Sequence, residues 1–173
     1  MDSARNEPER HACHDAATGL LNLRGVGERL DTAVALARRI DLEVTLLLID
    51  VAPRARESGR ELAPAPWRSV AAELTAAVRD HDLVARTGAT EFAVVLQAST
   101  AAHAVAIAER LLAGLARAFS SADARPAPTV CVGVATFPHD AEDVAGLWRG
   151  ASVALASARE RSGGAVAYAA DHG

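Results

Sequence analysis

The sequence predicts an α/β domain in which helices pack against a mixed β-sheet. Apolar residues recur at helical spacing in four segments, and five other segments carry short apolar runs typical of strands. Along the chain these segments follow the order α-β-α-β-β-α-β-α-β. With 173 residues, half of them hydrophobic, the chain is long enough to bury a core of its own.

The first half of the chain predicts two helices with a strand between them. The first helix is expected over 22–39 and the strand over 42–50, where aliphatic residues are nearly continuous. Residues 52–66 contain three prolines and scattered charges, which favour a loop. The second helix is expected over 67–78. The first helix places five apolar residues on one face: Leu23, Val26, Leu30, Val34 and Ala37.

A β-hairpin is predicted next, because two apolar runs flank a turn centred on Gly88. Ser99 or Thr100 can then cap a helix that reaches about Phe119. A linker is expected over 120–128.

The last third of the chain predicts a strand, a helix and a short edge strand. The strand spans 129–136 and is closed by Phe137 and Pro138. The helix runs to about residue 161, and acidic residues before it suit the positive end of its dipole. The edge strand is expected over 165–168. Together these predictions give a mobile N-terminal tail over 1–14 and a single domain over 15–170.

Composition excludes several classes of function. The formal net charge is −4 and all 18 basic residues are arginine, so no broad basic face for nucleic acid is expected. No apolar run approaches the roughly 18 residues that indicate a membrane span, and the N-terminus lacks an apolar signal-peptide core. Two cysteines, Cys13 and Cys131, form no disulfide framework. We therefore expect a cytoplasmic protein that binds neither nucleic acid nor membrane.

Four collinear motifs resemble the bacterial GGDEF family, the diguanylate cyclases that join two GTP molecules into cyclic di-GMP. Gly-Ala-Thr-Glu-Phe at 88–92 resembles the signature Gly-Gly-Asp-Glu-Phe hairpin. The segments 15–24, 132–135 and 154–159 resemble three further family motifs, so the likeness runs from about His14 to Tyr168. The resemblance implies a GGDEF, nucleotidyl-cyclase-like fold: a central mixed sheet with flanking helices around a ferredoxin-like βαββαβ core.

Several positions depart from the pattern that cyclase chemistry requires in this family. Asp50 and Glu91 match acidic positions, but Thr90 replaces the second metal-binding acid and Ala89 replaces a glycine. Residues 51–59 lack the guanine-reading Asn and Asp, and 162–164 lack a phosphate-binding arginine, although Arg159 keeps a positive charge at the family's lysine position. The sequence thus predicts a degenerate domain that is not an enzyme, with Asp50 and Glu91 as vestiges and with no metal or cofactor.

A second constellation matches the family's inhibitory Arg-x-x-Asp site for cyclic di-GMP. Arg79 and Asp82 occupy that motif, and Arg110 has a suitable spacing for the arginine supplied by the following helix. Guanidinium groups bind phosphates and the O6/N7 edge of guanine in bidentate fashion. The resemblance implies a cyclic di-GMP receptor that signals to an unidentified protein partner. A homodimer is also implied, because in this family an intercalated ligand pair often bridges two domains.

Three alternatives remain open at this point. Arg79 could be a solvated cation at a helix end and Asp82 a turn residue, which would favour a nucleotide-independent interaction or scaffold domain. Asp50 and Glu91 could support a residual diguanylate cyclase or a GTP-binding domain.

Overall fold

The structure is a computed structural model that describes residues 13–52, 67–121, 128–161 and 165–169. Three predicted segments lie wholly or largely outside these ranges: residues 1–12 of the tail, the loop over 52–66 and the linker over 120–128. At the end of that tail, Cys13 and His14 are described: the Cys13 carbonyl accepts from the Asn22 amide, and His14 forms a bridge with Leu21.

The described residues form helices and strands in the predicted order. The helices are α1 Leu23–Ile40, α2 Trp67–Ala76, α3 Ala101–Ser121 and α4 Val144–Glu160; the strands are β1 Val44–Ala52, β2 Leu83–Arg86, β3 Glu91–Gln97, β4 Thr129–Phe137 and β5 Ala165–Tyr168. Polar side chains cap three of the helices at their start. Asn22 accepts from the Gly25 amide, Thr100 from the His103 amide and Asp143 from the Gly146 amide.

The strands form one mixed sheet in the order β2-β3-β1-β4-β5. Strand β1 is antiparallel to β3 and β4, β2 is antiparallel to β3, and β5 is parallel to β4. The unit from β1 to β4 is the ferredoxin-like βαββαβ arrangement that the sequence predicted. No helix within the described ranges has both the length and the apolar character needed to cross a membrane.

Both faces of the sheet are covered, which explains why β1 is apolar at nearly every position. Alternate residues of a strand point to opposite faces. Leu46 and Leu48 pack in a cluster with α1 and α4, whereas Leu47 and Ile49 pack in a second cluster with α2 and α3. Leu23 is an exception to the predicted helix face, because it is 55% exposed in the first turn of α1.

Candidate functional site

The C-terminal end of β1 carries the first candidate site. Asp50 is directly opposite Glu91 in the antiparallel register of β1 and β3, and it is 6% exposed. The Thr90 hydroxyl donates a hydrogen bond to Asp50 Oδ1 at 2.8 Å. The Thr90 carbonyl accepts from the Val51 amide at 2.9 Å, which fixes the hairpin turn against the end of β1. The two acidic residues that the sequence singled out therefore lie together.

Arg159, in the last turn of α4, reaches both carboxylates. Its Nε donates to Asp50 Oδ2 at 2.9 Å, and its Nη2 lies 3.6 Å from Glu91 Oε2. Helix α4 packs along β1 and β4, so its C-terminal end delivers the guanidinium to the strand end where the acids meet. Asp50 is thus engaged through both of its oxygens, one by a neutral hydroxyl and one by a cation.

The arrangement can be tested against the divalent cation that cyclase chemistry uses in this family. Hard cations need several free oxygen ligands, but both Asp50 oxygens are already engaged and Glu91 is paired with Arg159. Among the described residues no group of three or more His, Cys, Asp or Glu side chains is placed to hold a metal ion. As arranged, these residues do not fit a divalent cation.

Arg86 holds the hairpin in place, and sequence reasoning missed it. Its Nη2 donates to the Ala89 carbonyl at 2.9 Å, its Nη1 lies 3.4 Å from Asp15 Oδ1, and its guanidinium lies 4.9 Å from the centre of the Trp67 ring. The side chain is 13% exposed. A charged residue at the end of a short apolar strand, two positions before Gly88, was the available signal.

Asp15 is held as a carboxylate at this position. Burial acts to raise the pKa of Asp15, but hydrogen bonds from the Thr18 hydroxyl and amide and the nearby Arg86 guanidinium outweigh it, so the pKa lies below the ordinary 3.8. The Thr18 bonds measure 2.6 Å and 2.9 Å. The loop before α1 is therefore tied to the hairpin through charge.

The second candidate site is the turn between α2 and β2. The Asp82 amide donates to the Arg79 carbonyl at 3.0 Å, and the Arg79 amide donates to Asp82 Oδ2 at 3.0 Å. Asp82 Oδ1 accepts from the Gln97 amide of β3 at 3.0 Å. The Asp82 side chain is only 2% exposed, whereas Arg79 is exposed. Asp82 therefore fixes the turn, and Arg79 is presented on it.

Arg110 comes to the same end of α2 from the neighbouring helix α3. Its guanidinium donates to the Ala77 carbonyl, two residues before Arg79. Arg79 and Asp82 also line a cleft of ≈ 360 Å³ together with Arg29 of α1. The structure thus brings the three predicted ligand-binding residues to the end of α2 and the turn that follows it, and Arg29 lines the same cleft as Arg79 and Asp82.

Comparison with known proteins identifies a family and relatives that this chain resembles. The family described as "Diguanylate cyclase, GGDEF domain" matches residues 12–164. The chain belongs to the GGDEF family. Diguanylate cyclase TpbB of Pseudomonas aeruginosa is 30% identical over 159 residues, which cover 88% of this chain and 36% of TpbB. The bifunctional diguanylate cyclase and cyclic di-GMP phosphodiesterase MucR of the same organism is 27% identical over 161 residues, covering 91% of this chain and 24% of MucR.

Solved structures of GGDEF domains share the fold. The isolated GGDEF domain of TpbB superposes with a TM-score of 0.78 at 28% identity, covering 90% of this chain and 94% of that domain. The GGDEF domain of DgcB from Caulobacter crescentus, solved with cyclic di-GMP, has a TM-score of 0.75 at 20% identity, covering 92% and 96%. The second likeness concerns the fold alone. The chain spans between a quarter and about a third of the length of TpbB and MucR.

These relatives correct one prediction. The sequence predicted that the domain is not an enzyme, because Thr90, Ala89 and residues 51–59 depart from the family pattern. That prediction is wrong against the comparisons: the matched family is one of diguanylate cyclases, and a relative at 30% identity is named as one. The prediction rested on treating the substituted motif positions as independent losses of activity. Most of the substituted loop, residues 53–59, lies outside the described residues, and Asp50 and Glu91 remain side by side.

Proposed function

We propose that this GGDEF domain binds cyclic di-GMP at the turn between α2 and β2 and acts as a regulatory module. Arg79 and Arg110 would contact the ligand, and Asp82 would hold the turn that presents Arg79. The observation that carries the proposal is the exposed Arg79 on a turn locked by a buried Asp82, with Arg110 bonded to the carbonyl two residues earlier.

The chemistry of the turn suits this ligand. Cyclic di-GMP carries two phosphodiesters and two guanines, and a guanidinium can bind either group through two parallel hydrogen bonds. Exposed Arg79 can rotate toward a ligand at low cost, since only its backbone is fixed by Asp82. The cleft beside it supplies Arg29 as a further positive group. In DgcB, a domain of the same fold was solved with this dinucleotide.

Calorimetric titration with cyclic di-GMP, with GTP as the comparison ligand, tests the proposal. We expect wild type to bind cyclic di-GMP with micromolar affinity. We expect Arg79→Ala to weaken that affinity at least about tenfold, since two charge-assisted hydrogen bonds are worth about 1.5–3 kcal/mol each. Arg39→Ala, which removes an exposed arginine from α1, is the matched control and should bind normally. Equal affinity in the Arg79 and Arg39 variants would exclude the turn as the site.

Asp82 is distinguished from Arg79 by its effect on stability. Asp82→Ala removes the acceptor of two backbone amides, so we expect it to lower the free energy of unfolding by about 2 kcal/mol. Arg79→Ala should leave that free energy within about 0.5 kcal/mol of wild type. Chemical denaturation of the two variants separates the positioning role from the contact role.

A second candidate function is the synthesis of cyclic di-GMP from GTP at Asp50 and Glu91. It is favoured by the direct pairing of these two acids across β1 and β3 and by the 30% identity to diguanylate cyclase TpbB. Incubation with GTP and either Mg²⁺ or Mn²⁺, followed by chromatographic detection of cyclic di-GMP, tests it, with Asp50→Asn as the control. Absence of both binding and synthesis would favour a nucleotide-independent domain that interacts with a protein partner.

A further inference from the structure

Arg159 lies against the two carboxylates of the first site and is the cation found there. Its Nε is 2.9 Å from Asp50 Oδ2, and its Nη2 is 3.6 Å from Glu91 Oε2. The Asp50 side chain is 9% exposed, the Glu91 side chain 37% and the Arg159 side chain 46%. The Arg159 side chain is thus the most exposed of the three, and Asp50 is the most buried.

The acids need a cation in this position. Asp50 and Glu91 face one another in the β1–β3 register, and like charges at facing positions of antiparallel strands repel. The planar guanidinium contacts the two carboxylates through separate nitrogens, whereas a lysine ammonium would have to reach both through a single nitrogen. Arg159 and the pair of acids are therefore complementary in shape and opposite in the sign of their charge.

Thr90 completes this match. A carboxylate at position 90 would add a third negative charge beside Asp50, whereas the Thr90 hydroxyl is neutral and donates its hydrogen to Asp50 Oδ1. Every oxygen of Asp50 then has a donor from the protein itself. One guanidinium leaves a single negative charge in excess, and solvent can screen it at Glu91, whose side chain is 37% exposed.

We propose that Arg159 is the resident cation of the Asp50–Glu91 pair and that Arg159 and a divalent cation exclude one another there. A metal ion could engage Asp50 only after the Arg159 side chain leaves it. The Asp50–Glu91 pair is a different site from the turn proposed to bind cyclic di-GMP, so failure of one proposal would leave the other unaffected.

Mn²⁺ binding in the absence of nucleotide tests the exclusion. The free-Mn²⁺ signal in electron paramagnetic resonance reports binding directly, without any assay of activity. We expect Arg159→Gln to tighten Mn²⁺ binding at least about tenfold over wild type, because it removes a positive charge within contact distance of both acids. Arg161→Gln is the matched control: it removes an equal charge two residues on, and it should leave Mn²⁺ affinity unchanged.

A second pair of variants keeps the test decisive if the wild-type protein binds Mn²⁺ too weakly to measure. Thr90→Asp adds a carboxylate beside Asp50, and we expect the double variant with Arg159→Gln to bind Mn²⁺ at least about tenfold more tightly than Thr90→Asp alone. Mn²⁺ should also raise the midpoint of thermal unfolding of the double variant more than that of Thr90→Asp. Equal Mn²⁺ affinity within both pairs, including no binding by any variant, would overturn the proposal.

Discussion

At the scale of single residues, the position of the hairpin depends on the charge of Asp15. Asp15 accepts from Thr18 and lies 3.4 Å from Arg86, which in turn bonds to the hairpin carbonyl of Ala89. The pKa of Asp15 in the folded protein is below the ordinary 3.8. Its charged form is therefore more stable in the folded than in the unfolded chain, so it stabilises the fold above pH 3.8. That contribution is lost as the pH falls through the folded pKa.

The lowered pKa of Asp15 predicts how the stability of an Asp15→Asn variant depends on pH. We expect the variant to lose about 1 kcal/mol of unfolding free energy at pH 7 and to approach wild type as the pH falls below 3.8 through the folded pKa, where the wild-type carboxylate itself becomes protonated. The Asp15 side chain is 24% exposed, so salt should screen its attraction to Arg86 only in part. Urea unfolding of both proteins over a series of pH values from 7 downwards measures this difference. Asp31→Asn, an exposed acid on α1, is the control; a deficit independent of pH would contradict the assignment.

At the scale of elements, α4 packs so closely on β4 that the strand needs a glycine. A Cβ at Gly133 would overlap the backbone of α4 at the Ala151 carbonyl and at Leu155. We expect Gly133→Ala to lower the free energy of unfolding by roughly 3 kcal/mol, since neither backbone can yield easily. Because α4 carries Arg159, the same variant should loosen the contact of Arg159 with Asp50.

Gly27→Ala is the matched control for this prediction. Gly27 lies inside α1, and a Cβ there meets nothing within 4 Å. Alanine should stabilise the helix by up to about 1 kcal/mol. Chemical denaturation of both variants measures the difference, and similar values for the two would mean that α4 does not need close contact at Gly133.

The helices and strands were predictable because the spacing of apolar residues reflects which positions are buried. The continuous apolar run of β1 reflects a strand covered on both faces. Leu23 was placed on the apolar face because it has the correct helical spacing, but it is the first residue of α1 and is 55% exposed. Spacing shows which face of a helix is apolar and does not show how far the core extends along it.

Contacts within the sites were less predictable, because they join residues distant in sequence. Family resemblance singled out Asp50 and Glu91 as acidic positions but did not indicate that they face each other. The hydrogen bond from Arg159 to Asp50 spans 109 residues, and no local pattern indicates it. The sequence placed Asp82 in a ligand-binding motif, but it could not show that the Gln97 amide occupies one of its oxygens. These contacts depend on the order of the strands and on the exact end of each helix.

At the scale of the whole molecule, the proposed ligand and the proposed dimer are linked by symmetry. Cyclic di-GMP has a two-fold axis and presents the same phosphate and guanine groups on two sides. Most homodimers are also two-fold symmetric, with the same surface contributed by each copy. The turn that presents Arg79 is at the surface of the domain. An intercalated pair of cyclic di-GMP molecules can therefore contact that turn on two copies of the chain.

We therefore expect cyclic di-GMP to convert the 17.9 kDa chain into a species of twice that mass. Dimerisation follows from shared ligand contacts, so it should require ligand, and Arg79→Ala should prevent it. Sedimentation velocity at a fixed protein concentration, with and without saturating cyclic di-GMP, measures the mass. Arg39→Ala should dimerise as wild type does, because it leaves the turn intact. A chain that binds cyclic di-GMP and stays monomeric would separate the two proposals, since the ligand would then occupy one domain without bridging to another.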